Sequence, residues 1–405
     1  MRILFITETI PYPPISGNKI RTYNLLRRIA RRHEVWLATL LDKPDEVRGV
    51  SHMEEFCCGV EVAVRRLRRP LAHVPGLLRY AVAGKPLELR FEHCEELAHR
   101  IRDLAHAVDF DIVQIEHSST ALYLETLPPS SHRKHILDFH NVVFDQLDRL
   151  FRIERRPVTK ARVAIHRAMM RRWEPHYAER FDRCIAVSDV DRQLLIRANP
   201  RLQVDVVPNG VDSQIYRPLG DGNTSPDLLF IGTMSYSPCA DAAVYFCREV
   251  LPRIWRAMDN VELWIVGRDP PPEVMRLSGD RVHVTGRVAD VVPYYARTKV
   301  CVVPLRAGGG TRLKILEAMA LGRPVVSTTM GCEGLDVVNG RHILIADSPE
   351  TLAEMTLRLL TDRALCRRLT TNARELVVTH YDWDLIANRL MQIYDDITKS
   401  LDGPL

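Results

Sequence analysis

The sequence of 405 residues predicts an α/β protein built as two parallel-sheet halves in tandem. Three observations predict this. Apolar runs of strand length alternate with stretches of helical spacing, and that alternation builds parallel sheets covered by helices on both faces. The rhythm restarts after a turn, Pro208-Asn209-Gly210-Val211-Asp212, and a polar linker, Gly220–Pro226. The length exceeds what one ordinary core organises and suits two.

Each element follows from its residues. Arg2–Thr7 reads as the first strand, and Pro11, Pro13, Pro14 and Gly17 make the next segment a loop. Lys19–Arg32 places Ile20, Tyr23, Leu26, Ile29 and Ala30 at helical spacing. Further strands are expected at Glu34–Leu40, Val60–Val64, Ile112–Ile115, His135–Phe139, Cys184–Val187 and Val204–Val207. The second half repeats the pattern at Leu228–Ile231, Glu262–Val266, Val282–Thr285, Val300–Leu305, Pro324–Ser327 and His342–Ile345. Its helices are expected at Ala240–Met258, Ala289–Arg297, Thr311–Leu321 and Pro349–Asp362. The tail, Arg363–Leu401, reads as helices broken near His380–Trp383. The expected domains are 1–208, completed by C-terminal helices at 384–401, and 209–383. Ligands in such sheets bind beyond the carboxyl ends of the strands, so a cleft between two facing Rossmann-like halves is the expected site.

Composition excludes several classes. Hydrophobic residues are 46% and charged residues 26%, as in globular proteins rather than disordered ones. No apolar run approaches the roughly 20 residues of a membrane span, and the first residues turn polar too soon for a secretory signal. A cytoplasmic location is expected. The nine cysteines form no C-x-x-C pair and read as small buried residues. The net charge of +5 is uneven. Arg152, Arg155, Arg156, Lys160, Arg162, Arg167, Arg171 and Arg172 face one acid, Glu154. A second cluster, Arg65, Arg66, Arg68 and Arg69, precedes the mostly apolar Leu71–Ala83. Basic clusters beside apolar residues suit an anionic membrane surface or a phosphate-bearing lipid. A solvated helix face fits as well; nucleic acid fits less, because Arg152–Arg172 lacks interleaved stacking aromatics.

The most informative stretch runs from Pro304 through Gly308-Gly309-Gly310-Thr311-Arg312-Leu313-Lys314 to Glu317-Ala318-Met319-Ala320-Leu321-Gly322-Arg323-Pro324. It reads strand, glycine loop, helix, glycine stop, strand. Glycines before a helix let backbone approach a ligand closely. The helix start offers free N–H groups to a phosphate, and Arg312 and Lys314 add charge. It is not a Walker loop. Glu317 stands among apolar neighbours, where a carboxylate needs partners. It could accept the two hydroxyls of a ribose. The i,i+3 spacing favours instead a helix salt bridge with Lys314.

This stretch resembles the signature of glycosyltransferase family 4, a retaining family with the GT-B fold. The family pattern E-x7-E followed by A-M-A-x-G-x-P-V-V places its ribose-binding second glutamate at Glu317. Its first glutamate falls at Gly309, and that departure is shared with relatives carrying G-G-T-R-L-K-[IV]-L-E-A-M-A. Backbone N–H groups of Gly308–Gly310 are the expected substitute there. Val207–Asp212 resembles the interdomain N-G-V-D turn, Ile185-Ala186-Val187-Ser188 the V-S strand end, and Leu263-Trp264-Ile265-Val266-Gly267 a strand with its closing glycine. Phe230-Ile231-Gly232-Thr233-Met234 resembles the strand that opens the second domain. The basic pair that follows it in many members is missing from Ser235–Ala243, and Arg312 and Lys314 are expected to replace it. In the first half, Pro13–Arg21 resembles the loop whose glycine, here Gly17, lies near the donor phosphate. Asp138-Phe139-His140-Asn141 occupies the place of a histidine that contacts the donor sugar. P-Y-P-P with K-I-R-x-[YF]-N-L-L is most similar to sugar transferases of bacterial exopolysaccharide and PEP-CTERM systems.

The resemblance implies transfer of a sugar from a nucleotide diphosphate donor to a glycan or lipid-linked acceptor, with retention and with the leaving phosphate taking the acceptor proton. His140, Arg312 and Lys314 are the expected catalytic residues. Glu317, Gly308, Gly309, Gly310, Thr311, Gly17 and Gly232 are expected on the donor, and Glu116, His117 and Asn18 on the acceptor side. No cofactor is implied. Asp189-Val190-Asp191 matches D-x-D but starts a helix and reads as a cap, so no metal is expected. Two rivals stay open: a nucleotide-sugar epimerase of similar architecture, and an inactive nucleotide-binding partner of another transferase.

Overall fold

The computed structural model describes residues 1–43, 46–65, 85–86, 89–154, 156–220 and 227–399. Contacts divide the chain into two units. One holds Met1–Pro208 and the chain from Ile386 onward; the other is Asn209–Leu385. The arginines at 66, 68 and 69, the stretch 71–83, Arg155 and most of the linker 220–226 lie outside the described residues.

The first unit is a seven-stranded sheet in the order β3-β2-β1-β4-β5-β6-β7. Its strands are β1 (Arg2–Thr7), β2 (Glu34–Leu41), β3 (Gly59–Val64), β4 (Ile112–Glu116), β5 (Lys134–Phe139), β6 (Arg183–Ala186) and β7 (Val204–Val206). Every pairing is parallel, as from Ile3↔Val35 to Thr7↔Thr39. Both faces of β1 are dry: Ile3 and Phe5 on one side, Leu4 and Ile6 on the other, have no exposed surface. A sheet covered on both faces needs continuous apolar strands, and Ile-Leu-Phe-Ile supplies one. The helix Gly17–Ile29 packs through Arg21, Thr22, Leu25, Leu26 and Ile29, one stripe at helical period.

The second unit is a six-stranded parallel sheet in the order β10-β9-β8-β11-β12-β13. Its strands are β8 (Leu228–Ile231), β9 (Leu263–Val266), β10 (Val282–Gly286), β11 (Val300–Val303), β12 (Val325–Ser327) and β13 (Leu344–Ile345). In each sheet the strand order reverses once, beside β1 and β4 and beside β8 and β11. The backbone opens at such a reversal, which is where ligands enter α/β sheets.

The expected helix Ala240–Met258 is not one helix. It is Ser237–Tyr245, a π turn over Phe246–Val250, and Leu251–Ala257. Pro252 has no N–H to donate and its ring crowds the preceding turn, so the hydrogen-bond ladder widens before it. The cap before Asp189–Ala198 is Ser188, whose hydroxyl accepts from the Asp191 N–H, rather than either aspartate. The tail breaks at Tyr381–Asp382 between the helices Arg363–His380 and Trp383–Lys399. Val211 N–H donates to the Tyr381 carbonyl at 2.8 Å, and Ser213 N–H to Asp382 at 3.1 Å. The last helix runs on into the first unit, where the Tyr394 hydroxyl donates to Gln114 Oε1 at 2.5 Å. Among the described residues no helix is long and apolar enough to cross a membrane.

Candidate functional site

Strand ends at the two reversals carry the polar residues. In the first unit, β1 ends on Thr7 and Glu8, β4 on Glu116 and His117, and β5 leads into His140. Asn18, Glu116, His117 and His140 line one pocket together with Thr7, Glu8, Thr9, Lys19 and Thr22. Gly17 stands one residue before Asn18, at the exposed start of its helix.

The pocket floor is a bonded network. His140 Nε2 lies 2.7 Å from Glu116 Oε2. Thr22 donates to the same carboxylate at 3.0 Å, and Gln114 donates to its other oxygen at 2.6 Å. Behind it, Arg21 grips Asp138 through Nε and Nη2 at 2.9–3.1 Å, with both side chains buried. Burial pulls the His140 imidazole down, but the bond and charge of Glu116, backed by Asp138, hold it above its ordinary value. Burial works against the Glu116 charge, yet the His140 bond keeps that carboxyl below its ordinary range. His140 Nδ1 is buried with no hydrogen-bond partner. A buried orphan nitrogen on a pocket wall is a place for a ligand oxygen. Glu116, Asp138 and His140 could each offer an atom to a cation within 4.8 Å of one another. The Arg21 guanidinium already fills that role at Asp138.

His117 is held by its own turn. Its φ of 78° is left-handed, and Ser119 N–H donates to its Nδ1 at 3.2 Å. The neutral ring therefore carries its proton on Nε2. Burial lowers its pKa, against the pull of Glu8. Glu8 accepts from Asn18 Nδ2 at 3.1 Å and from the Ser119 hydroxyl at 2.8 Å. The His117 and His140 rings meet edge to face, with centroids 6.0 Å apart.

In the second unit the glycine loop precedes the helix Leu313–Ala320. Gly308 and Gly310 have φ of +119° and +67°, which side chains strain to adopt. A Cβ on Gly308 would lie 3.0 Å from Arg312 Nη2 and 3.2 Å from the Tyr236 hydroxyl. Arg312 is folded back: its Nη1 donates to the Gly309 and Gly310 carbonyls. It braces the loop. Lys314 instead reaches the end of β8, where Nζ lies 3.7 Å from Cys239 Sγ, 4.9 Å above the Phe230 ring and 2.9 Å from where a Gly232 Cβ would stand. The Thr311 hydroxyl accepts from Asn209 Nδ2 at 2.7 Å, tying the loop to the N-G-V-D turn.

The i,i+3 bond from Lys314 to Glu317 does not form. Glu317 accepts from the Tyr295 hydroxyl at 3.1 Å, and Lys314 leans across to Cys239. Burial raises the Glu317 pKa, with the Tyr295 bond and the Lys314 charge opposing. The reason is crowding: the helix neighbours Ile315, Leu316 and Ala318–Ala320 are apolar and buried, so the two polar side chains leave toward different helices, Glu317 to Tyr295 on Val292–Arg297 and Lys314 to Cys239 on Ser237–Tyr245. Sequence reading missed Glu8, Ser119, Arg21 and Tyr295. Glu8 had one signal, its place directly after β1 at the reversal, and Ser119 another, its place two residues after His117; Arg21 and Tyr295 are marked only by contacts distant in sequence.

Residues 15–215 match the family described as Glycosyltransferase Family 4, and residues 225–362 match Glycosyl transferases group 1. The chain belongs to glycosyltransferase family 4. Family relatives include the phosphatidyl-myo-inositol mannosyltransferase of Mycobacterium leprae (strain TN), 27% identical over 249 residues, 59% of this chain and 64% of that protein. A glycogen synthase of Mycobacterium tuberculosis (strain CDC 1551 / Oshkosh) is 26% identical over 47% of this chain and 48% of its own length. The chain thus spans less than two thirds of the curated relatives it matches. Among solved structures, sucrose-phosphate synthase from Thermosynechococcus elongatus superposes with a TM-score of 0.74 at 20% identity, over 99% of this chain and 100% of that one. Anabaena HepE, solved in complex with UDP and glucose, gives 0.67 at 18% identity, over 98% and 100%. These structures share the GT-B fold that the family resemblance predicts.

Proposed function

We propose that the protein is a retaining glycosyltransferase that moves a sugar from a nucleoside diphosphate donor to a glycan or lipid-linked acceptor. The observation that carries this reading is Lys314. Its ammonium stands over the end of β8, beside Gly232 and the helix that follows the glycine loop, where a departing diphosphate needs a cation. The chain has no basic residue at 235–243, and Lys314 reaches that ground from the neighbouring element. Loop N–H groups add preorganised donors, each worth about 10²–10³ in rate. Arg312 keeps those N–H groups in place. Glu317, raised by burial and one turn along the helix, takes the ribose hydroxyls. On the first unit His140 Nδ1 donates to the sugar, and Glu8, Asn18 and His117 receive the acceptor. The C–O bond to the diphosphate breaks, the acceptor oxygen bonds to the anomeric carbon, and the leaving phosphate takes the acceptor proton. Lys314 and the N–H groups carry the charge, so turnover is expected to survive EDTA.

Two comparisons support the substrate classes: a relative acts on phosphatidyl-myo-inositol, and a structural neighbour was solved with UDP and glucose. Cell-surface polysaccharide synthesis at the inner face of the plasma membrane is the setting we infer. The helix Pro157–Tyr177 is the surface that suits a membrane. Val158 is 83% and Ile165 63% exposed, beside the exposed Arg156, Arg162 and Arg172. Arg167 and Arg171 pair with Asp148, which leaves them less to offer than the sequence implies.

The test is a thermal-shift panel of UDP, GDP, ADP, CMP and TDP, with Glu317→Ala in parallel. A ligand at about 100 times its Kd adds roughly 2.7 kcal/mol, or about 5–10 °C at roughly 2–4 °C per kcal/mol. A shift from one nucleotide, lost in the variant, is expected. No shift from any of them, or an equal shift in the variant, refutes the donor site.

A further inference from the structure

Glu174 lies on the basic helix Pro157–Tyr177, yet it is 1% exposed. It is the one acid between Pro157 and Tyr177, and it has no ion pair among the described contacts. Its carboxylate is spent on two other elements. Oε1 accepts from the Ser118 hydroxyl at 2.5 Å and from Val143 N–H at 3.3 Å. Oε2 accepts from Phe144 N–H at 3.1 Å.

The partners matter more than their number. Val143 and Phe144 open the helix Val143–Ile153, whose own N-cap, Val142, has no side-chain acceptor. That helix begins directly after His140-Asn141. Glu174 therefore supplies, from another helix, the cap that a Ser or Asp would normally supply in sequence. Ser118 follows His117, whose left-handed backbone costs energy and persists only where the surroundings hold it. One carboxylate thus clamps the turn after β4 and the turn after β5, each a residue or three from a pocket histidine. Burial pushes this carboxyl up to about 7 while all three donors pull it down, so it is held in place by its bonds and not by comfort in its surroundings.

We propose that Glu174 is a positioning residue that sets the mutual orientation of His117 and His140 without touching substrate. Its bearing on catalysis rests on the reading of the histidine pocket given above, while the orientation itself can be measured without any substrate.

The experiment uses the full chain with Ser118→Ala and Glu174→Gln, and Arg152→Gln as a control at an exposed position of the Val143–Ile153 helix. Ring ¹⁵N–¹H spectra resolve the 15 histidines. The expected result is that the His117 and His140 ring signals and their titration midpoints move in Ser118→Ala, that the remaining histidines stay, and that the control moves neither. If Glu174→Gln does not fold, Ser118→Ala carries the test. Unmoved His117 and His140 rings in a folded Ser118→Ala protein overturn the proposal. The second readout is acceptor-free hydrolysis of UDP-glucose and GDP-mannose. A fall in kcat of about tenfold or more with donor KM within about twofold is expected, since misplaced groups lose rate before they lose ground-state binding. Moved rings with unchanged hydrolysis leave the positioning intact and sink the catalytic reading of the pocket.

Discussion

Replacing Arg21 by Met removes one half of a buried ion pair and leaves the other half in place. Arg21 is 1% exposed and Asp138 not at all. The guanidinium gives Asp138 three bonds of 2.9–3.1 Å and gives the Pro208 carbonyl a fourth at 3.0 Å. In Arg21→Met the carboxylate loses its three guanidinium bonds and keeps only the nearby charge of His140, which Glu116 already engages. Orphaning a buried charge in this way costs about 3–5 kcal/mol. At roughly 2–4 °C per kcal/mol for a unit of this size, the first unit's midpoint falls by about 6–20 °C. Calorimetry of the full chain, with a nucleotide present to hold the second unit's transition apart, reads that midpoint. The double variant Arg21→Met, Asp138→Leu removes the stranded charge and is expected to recover most of the loss. A single variant that loses less than about 1 kcal/mol, or a double variant no better than the single, refutes the argument that desolvation dominates here.

Other consequences follow from single contacts. A Cβ on Gly267 would lie 1.6 Å from the Gly232 carbonyl oxygen, so Gly267→Ala is expected to part β8 from β9 at the donor end, at or beyond about 1–3 kcal/mol, and to abolish the nucleotide-induced thermal shift. Tyr394→Phe strands Gln114 Oε1 and is expected to cost about 1–3 kcal/mol in urea denaturation, with no effect on nucleotide binding. His140 titrates above its ordinary 6.5, so its pairing stabilises the fold fully below about pH 6.5 and is lost as pH rises through its shifted value. Glu116 titrates below its ordinary 4.5 and gives the opposite limb, lost as pH falls through its own shifted value. His140→Gln is expected to flatten the alkaline limb, read as urea midpoints at pH 6 and 9; an unchanged slope refutes the assignment.

The sheets were legible because parallel strands are written in consecutive residues. Val300-Cys301-Val302-Val303 is buried at every position, and only a covered strand can be apolar without alternation. The helix break at Tyr381–Asp382 was legible for a similar reason, since the two helical stripes do not share a phase. The π turn at Phe246–Val250 was not, because the apolar period runs through it and only Pro252 betrays it. At the sites, residues that stand in runs could be read: the glycine loop, Lys314, Glu317, His140. Arg312 could be named but not oriented, since the same side chain can face a ligand or its own loop. Glu174 could not be found at all. Its partners stand 30, 31 and 56 positions away, and nothing local separates it from a surface acid.

The last helix has a bearing on how the molecule is made. The second unit is one continuous stretch, Asn209–Leu385, but the first is written in two pieces with the whole of the second unit between them. A chain emerging from the ribosome offers its domains in order, and each folds once its parts are present. Here the seven strands of the first sheet emerge before the second unit, while Tyr394, the partner of Gln114 beneath the pocket floor, is translated only after the whole of it. The half that is synthesised first is the half that finishes second. During that interval Gln114, and through it Glu116 and His140, waits on a hydroxyl that has yet to be translated.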